Sequence, residues 1–300
     1  MTMDSNPRDS NWGRWGPEDE RGAPNLLLDT LVRAAATLIR RGIVYPLGLE
    51  LDRNRLPVSP SRVPIVHLMS LDGGDFAAGV KLPHNARAAD DYIIMPTHSG
   101  THIDALAHVW TGDELYNGHS ANYVRSYGAT RCGIDKMGPL VGRGVLLDVA
   151  ATKGVEVLDA GYVITASDLE ACANLNGVQV GEGDTVLVRT GWLKARVGTP
   201  ELFHSNQPGI GLDAARWLAS RDVVAVGADN SSVEAMDWDG RRTTPNVVHQ
   251  MLIREFGIPL MELMTLEGPA QDGVHEFLLV VAPLPIKGGV GSPVNPVAIA

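Results

Sequence analysis

Apolar residues recur at two periods along the chain, and the alternation between those periods predicts its architecture. Leu28, Leu31, Val32, Ala35, Ala36 and Ile39 keep helical spacing, which predicts a helix over Leu26–Arg41. Ile43–Leu51 alternates apolar and other positions and reads as a strand, whereas Leu56–Pro64 holds three prolines and must be irregular. Val63–Met69 and Tyr92–Met95 read as strands on either side of a polar loop, the second leading directly into His98. Thr111–Lys136, rich in Gly, Asn, Tyr and Ser, reads as a long loop whose His119 and Tyr123 could line a pocket or decorate the surface.

Downstream the alternation becomes regular. Gly144–Val149 and Asp184–Gly191 read as buried strands. Ser167-Asp168-Leu169-Glu170 has the form of a capping box, opening a helix through Ala173 that closes near Gly177. Gly211–Ser220 predicts a helix feeding a strand at Val223–Val226, and Pro245–Phe256 a helix with proline near its start. Pro259–Leu266 and Phe277–Pro283 read as strands, and Val294–Ala300 as an edge strand. No linker, repeat or low-complexity tract intervenes. The pattern predicts one α/β domain over residues 11–300 behind a disordered tail at 1–10.

One stretch stands apart, His98-Ser99-Gly100-Thr101-His102-Ile103-Asp104-Ala105-Leu106-Ala107-His108. Nine histidines are spread over 300 residues, so three within this run, with an aspartate between them, is a large local excess. Imidazole and carboxylate together suit zinc, manganese or iron. Gly100 and Thr101 lack bulk and let the chain turn tightly enough to bring His98 and His102 to one point. The run reads as a metal-binding turn entering a short helix, with His108 one helical turn beyond Asp104 and left over for proton transfer. His249 and Glu262 form a second pair that could complete this metal's shell or, with Asp104 bridging, hold a second ion.

Composition narrows the partners. A formal charge of −10 lacks the basic footprint that phosphate backbones or anionic membranes require. No apolar run approaches the ~20 residues of a spanning helix. Cys132 and Cys172 form no CxxC pair, and Met1–Pro24 has no apolar signal run, so reduced thiols in the cytoplasm are expected. A small-molecule substrate is the partner that remains. Trp12 and Trp15 precede every core element, and they either pack on the body or cover a pocket mouth as substrate-binding residues. Asp229 and Ser231 follow a buried strand and are further substrate-binding candidates, although such residues also make plain turns.

A bound divalent ion makes water acidic and polarises carbonyl oxygens, which points to hydrolysis of an amide, imide or lactone. The sequence has no Gly-x-Ser-x-Gly elbow and no phosphate-binding loop to support a rival chemistry. The run His98-x-Gly100-Thr101-His102-x-Asp104-x-x-x-His108 resembles the signature of the cyclase-like metal-dependent hydrolases, which include kynurenine formamidase, isatin hydrolase and trans-dienelactone hydrolase. Gly227-Ala228-Asp229, His249-Gln250-x-Leu252, Glu262 and Ala282-Pro283-Leu284-Pro285 follow in the family's order.

That resemblance implies an α/β domain with a swivelling β/β/α core, assembled as a homodimer or tetramer. It makes His98, His102 and Asp104 ligands and His108 the acid–base. The ion would be one or two Zn2+ or Mn2+ per chain, with His249 and Glu262 holding the second in formamidase-like members. Cyclic amides, imides, lactones and aryl formamides are the expected substrates. The alternative is a non-catalytic metal or small-molecule binding protein on the same fold, against which His108 argues, because binding alone needs no spare base.

Overall fold

The structure is a computed structural model that describes residues 9–59, 61–199, 203–204, 206–236 and 246–300. Nine strands form one sheet: β1 (Val44–Pro46), β2 (His102–Asp104), β3 (Leu140–Asp148), β4 (Thr185–Arg189), β5 (Ala225–Ala228), β6 (Leu260–Glu262), β7 (Glu276–Val281), β8 (Gly291–Pro293) and β9 (Val297–Ile299). Their order is β1-β9-β7-β3-β4-β5-β6-β2-β8. The middle four, β3 to β6, run parallel, and antiparallel strands extend both flanks. Parallel neighbours need long crossovers. Here these carry the helices α2 (Ala166–Leu175), α3 (Leu212–Ser220) and α4 (Val247–His249), the last running into a π-helical turn at Gln250–Glu255.

From Gly144 onward β3, and all of β4, are buried continuously rather than alternately because both faces of the sheet are covered there. Val145, Leu147, Val186, Val188 and Val226 face the crossover helices, meeting Leu169, Cys172, Ala215, Leu218 and Leu252. Leu146, Leu187, Ala225 and Met261 face the other way, among Ile103, Leu47, Phe277 and Leu279. The mixed α/β architecture is thus the one the hydrophobic pattern predicts.

Several elements differ from expectation for identifiable reasons. The first helix, α1, is shorter, Asp29–Ala36, after a 3-10 turn at Ala23–Leu26. The capping box of α2 is Thr165 with Asp168, two residues earlier than Ser167 with Glu170. Glu170 instead accepts from the Trp217 indole at 2.6 Å. The C-terminal strand β9 is not an edge, because β1 adds outside it. Residues 66–71 and 90–94 do pair, but as a separate two-stranded hairpin outside the main sheet. Residues 1–8 of the expected tail and Pro245 lie outside the described residues.

Candidate metal centre and its pocket

Strand β2 positions the centre. It lies between β6 and β8, with Glu262 directly opposite His102 and Gly291 opposite Asp104. Side chains alternate along a strand, so His102 and Asp104 share one face while Ile103 enters the core. Gly100, at φ +63°, makes the turn before β2 that returns His98 to that face. Thr101 Oγ1 secures the turn, donating to the Leu263 carbonyl at 2.6 Å and accepting from the Leu49 amide at 2.7 Å. Gly291 is required for a different reason. A Cβ there would stand 2.5 Å from His98 Nε2.

The expected helix after Asp104 is absent. β2 ends in a tight turn in which the His108 amide donates to the Ala105 carbonyl at 3.0 Å. His108 still reaches the cluster. Its ring stacks on His98 with centroids 4.0 Å apart, and its Nε2 lies 4.0 Å from Asp104 Oδ1.

The second pair arrives from α4 and β6. His249 Nε2 lies 3.3 Å from Glu262 Oε1 and 3.8 Å from Asp104 Oδ2. His102 Nε2 is 3.2 Å from Glu262 Oε2, and His98 Nε2 is 3.3 Å from Asp104 Oδ1. Two sets of potential ligand atoms, from His98, Asp104 and His108 and from Asp104, His249 and Glu262, each fall within 4.8 Å of one another. Asp104 belongs to both.

Imidazole orientation is fixed from behind, as metal ligands require. His102 Nδ1 donates to the Gly100 carbonyl at 2.8 Å, which turns the Nε2 lone pair towards the cluster. His249 Nδ1 meets Glu234 Oε1 at 2.5 Å, and Glu234 Oε2 accepts from the Val248 amide. His98 Nε2, His102 Nε2 and both Asp104 oxygens are buried without any hydrogen bond. Buried polar atoms are almost always hydrogen-bonded. His98 Nε2 and His102 Nε2 lie 3.3 and 3.8 Å from Asp104 Oδ1, although His102 belongs to neither set above. Four such atoms gathered about Asp104 therefore fit a cation, and three imidazoles with two carboxylates fit a first-row divalent one.

The electrostatics agree. Burial alone would raise the Asp104 carboxyl, but His108, His98 and His102 outweigh it and hold the group ionised far below the carboxylate range. Burial likewise opposes ionisation of Glu262, and His102 and His249 prevail over it. His102 is held up against burial by Glu262, and His249 well up by Glu234 and Glu262. His108 goes the other way. Burial pushes it down to about 4, so it is a neutral imidazole at ordinary pH.

His98, His102, His108, His249 and Glu262 form one wall of a cavity of about 250 Å³, closed by Arg62, His204, Ser231, Ser232 and Leu263 among others. The Arg62 guanidinium donates to the His98 carbonyl at 2.5 Å. Val233 and Leu263, neighbours of the pocket's polar residues, hold positive φ of 59° and 56°. Such strain in bulky residues persists only where surrounding contacts impose it.

Of the sequence-predicted residues, His98, His102, Asp104, His108, His249, Glu262 and Ser231 come together here. Asp229 does not. It is buried under β5 and accepts from Thr190 N, Thr190 Oγ1 and Gly191 N at 2.6–2.8 Å, so it ties β5 to the turn after β4. Trp12 and Trp15 do not line the pocket either. The Trp12 indole donates to the Arg254 carbonyl at 2.7 Å, and both rings pack on the helical side of the core. An indole N–H takes the free carbonyl of a helix end. His119 bonds the Asp19 carbonyl, away from the site.

Sequence reasoning missed Arg62, His204, Gln207, Glu234 and Gly291. His204 alone carried a signal, being a histidine beside an aromatic residue. The others act through contacts across the fold.

Comparison with known proteins follows the same lines. Residues 30–235 match the Cyclase family. Isatin hydrolase from Roseibium aggregatum is 26% identical over 215 residues, spanning 70% of this chain and 74% of that protein. A crystal structure of a novel cyclase superposes with a TM-score of 0.90 and 38% identity, covering 98% of this chain and all of the other. An isatin hydrolase bound to the product analogue thioisatinate superposes with a TM-score of 0.66 at 21% identity, over 90% and 97% of the two chains.

Proposed function

Because the chain belongs to the Cyclase family, we propose that it is a metal-dependent hydrolase that opens a cyclic amide, imide or lactone, or cleaves an aryl formamide. The observation that carries this reading is the set of four buried, unbonded ligand atoms gathered about Asp104, beside a cavity that His98, His102 and His108 line. His98, His102 and Asp104 would hold the ion, Zn2+ or Mn2+, and His249 and Glu262 complete its shell or share a second ion through Asp104. A divalent ion there supplies an acidified water and a polarised carbonyl.

The chain's own groups do the rest. His108 is neutral, so its Nε2 accepts the proton of the attacking water and returns it to the departing nitrogen or oxygen as the ring opens. Stacking on His98 holds that imidazole at the cavity wall. The product is a carboxylate.

Self-association belongs to the same proposal. The outlying hairpin leaves Leu68, Met69, Tyr92, Ile93 and Ile94 exposed, and a two-stranded hairpin is marginal by itself. A second copy covering it gives the homodimer or tetramer, which light scattering of the purified protein measures.

The test of the function is elemental analysis of dialysed protein followed by a His108→Ala variant. Stoichiometric zinc or manganese, retained in the variant with loss of ring opening, is the expected result. Protein that takes up neither metal overturns the reading, and a variant as active as wild type removes His108 from its role.

A further inference from the structure

Part of the cavity wall comes from the segment between Pro57 and Pro64, where the Arg62 amide donates to the Ser59 carbonyl at 2.9 Å and closes a tight turn. Ser59, Ser61 and Arg62 all line the cavity. Arg62 is half-buried, and its Nη1 is anchored on the His98 carbonyl at 2.5 Å. A guanidinium carries five N–H donors in a rigid plane, so one such bond leaves most of them to be answered. Among the described residues no carboxylate stands within ion-pair distance of Arg62, whereas Arg189 holds two.

The same wall is rich in protons to give. The Ser59 and Ser61 hydroxyls lie 3.1 Å apart, so one donates to the other and the pair keeps a second proton. Ser231 is held from behind by the wholly buried Gln207, whose Oε1 accepts from the Ser231 amide at 2.8 Å and whose Nε2 donates to Ser231 Oγ at 2.7 Å. That hydroxyl also keeps its own proton to give. Among the described residues Glu262 is the only carboxylate of the lining, and His102 and His249 already engage it. The Arg62 charge is felt in the cavity, for burial pushes His204 down and Arg62 pushes it further the same way.

We infer that Arg62 receives a carboxylate carried by the substrate, so that the ring opened here is an anionic one with its charge apart from the bond that is cut. The inference rests on the hydrolase reading for the ring and adds the acid to it. A guanidinium pinned at one end to a backbone carbonyl is already oriented, so binding a carboxylate costs it little further rotamer freedom. Its planar fork matches that partner, and hydrogen bonds between charged groups are about twice as strong as neutral ones. A chain of net charge −10 repels anions in general, so a pocket that admits one needs a local cation. A cavity of about 250 Å³ is small for a drug-sized ligand and suits a single ring with one such substituent.

Two pairs of rings test this, each pair differing by a carboxylate: 5-oxoproline against 2-pyrrolidinone, and hydantoin-5-acetate against hydantoin. Their binding to zinc-loaded wild type, Arg62→Gln and Arg62→Lys is measured by calorimetry, with zinc content checked and ring opening followed in parallel. Wild type should bind at least one acid about tenfold more tightly than its parent ring, as a hydrogen bond to a charged group implies. Arg62→Gln, which can still donate to the His98 carbonyl, should keep its zinc and erase that ratio by weakening the acid alone. Arg62→Lys, which keeps the charge, should retain several-fold of it. Equal binding of acid and parent in both pairs by wild type overturns the inference, as does failure to bind either acid. A ratio unchanged in Arg62→Gln also overturns it, by assigning the carboxylate to the metal. A loss in Arg62→Gln of zinc, or of both members of a pair alike, does so too, by leaving Arg62 only a support for His98. The expected ratios without any ring opening support the inference and count against the hydrolase reading instead.

Discussion

Two buried clusters of charge lie on the same sheet and have been completed in opposite ways. At the C-terminal ends of β3 and β4, Arg189 donates to Asp148 at 3.0 and 3.2 Å, to Glu267 at 2.9 and 3.1 Å, and to the Glu156 carbonyl at 3.3 Å. Asp148 also accepts from the Ala151 amide, capping the short helix that follows β3. Every group in that cluster is answered by another. At β2 and the turn before it, His98, His102 and Asp104 are as deeply buried, but their inward atoms have no hydrogen-bond partner. The first cluster is closed and the second is open. Burial of charge by itself therefore says little about function, and the unanswered atoms say much.

Breaking each cluster should separate the two roles. Asp148→Ala leaves Arg189 without one of its two carboxylates and should cost ~3–5 kcal/mol in a urea melt, with metal stoichiometry unchanged. Asp104→Asn should do the reverse. Metal affinity should fall on the order of 100-fold or more, measured by chelator competition, while the metal-free protein unfolds close to the wild-type urea midpoint. Glu234→Gln weakens the support behind His249, and a loss of ~10–100-fold in metal affinity is expected there. Equal loss of metal binding in Asp148→Ala would erase the distinction between the clusters.

A pH series sharpens the comparison with smaller effects. His102 and His249 have raised pKa values in the metal-free protein because of Glu262 and Glu234. Groups raised on folding contribute stability that is complete below their unfolded value of about 6.5 and lost as pH climbs through the folded one. The Tm of chelated protein should therefore fall from pH 6.5 upwards. Bound metal replaces protons as the compensating charge, so loaded protein should show a flatter profile. The arginine of the closed cluster does not titrate in this window and adds no slope.

How much of this was legible in the sequence follows from where each contact comes from. His98, His102, Asp104 and His108 lie in one turn and one strand, so their meeting is a local matter and their spacing announced it. The α/β alternation at the centre of the sheet was legible because β3, β4 and β5 alternate with helices, while the parallel order of those strands was not read from it. Glu234, Gln207 and Gly291 were not, since each matters only through a partner that the long-range strand order brings close. Gly291 carries no local signal, and its role shows only once β8 is paired with β2. The two N-terminal tryptophans announced a need for cover, but no local feature says which surface an indole N–H will find. The hairpin at 66–94 was legible as two strands, and its separation from the main sheet was not.

Gly291 also bears on how such a protein can diversify. Any side chain at that position collides with the ring of His98, and Ile103 is held in the core between His102 and Asp104, so the sheet beneath the metal centre has almost no freedom to drift. The opposite rim, where Arg62, His204 and Ser231 stand on connecting segments, carries no such veto. New substrates in descendants of this chain should therefore be recorded as changes on that rim, with the strand floor inherited unaltered.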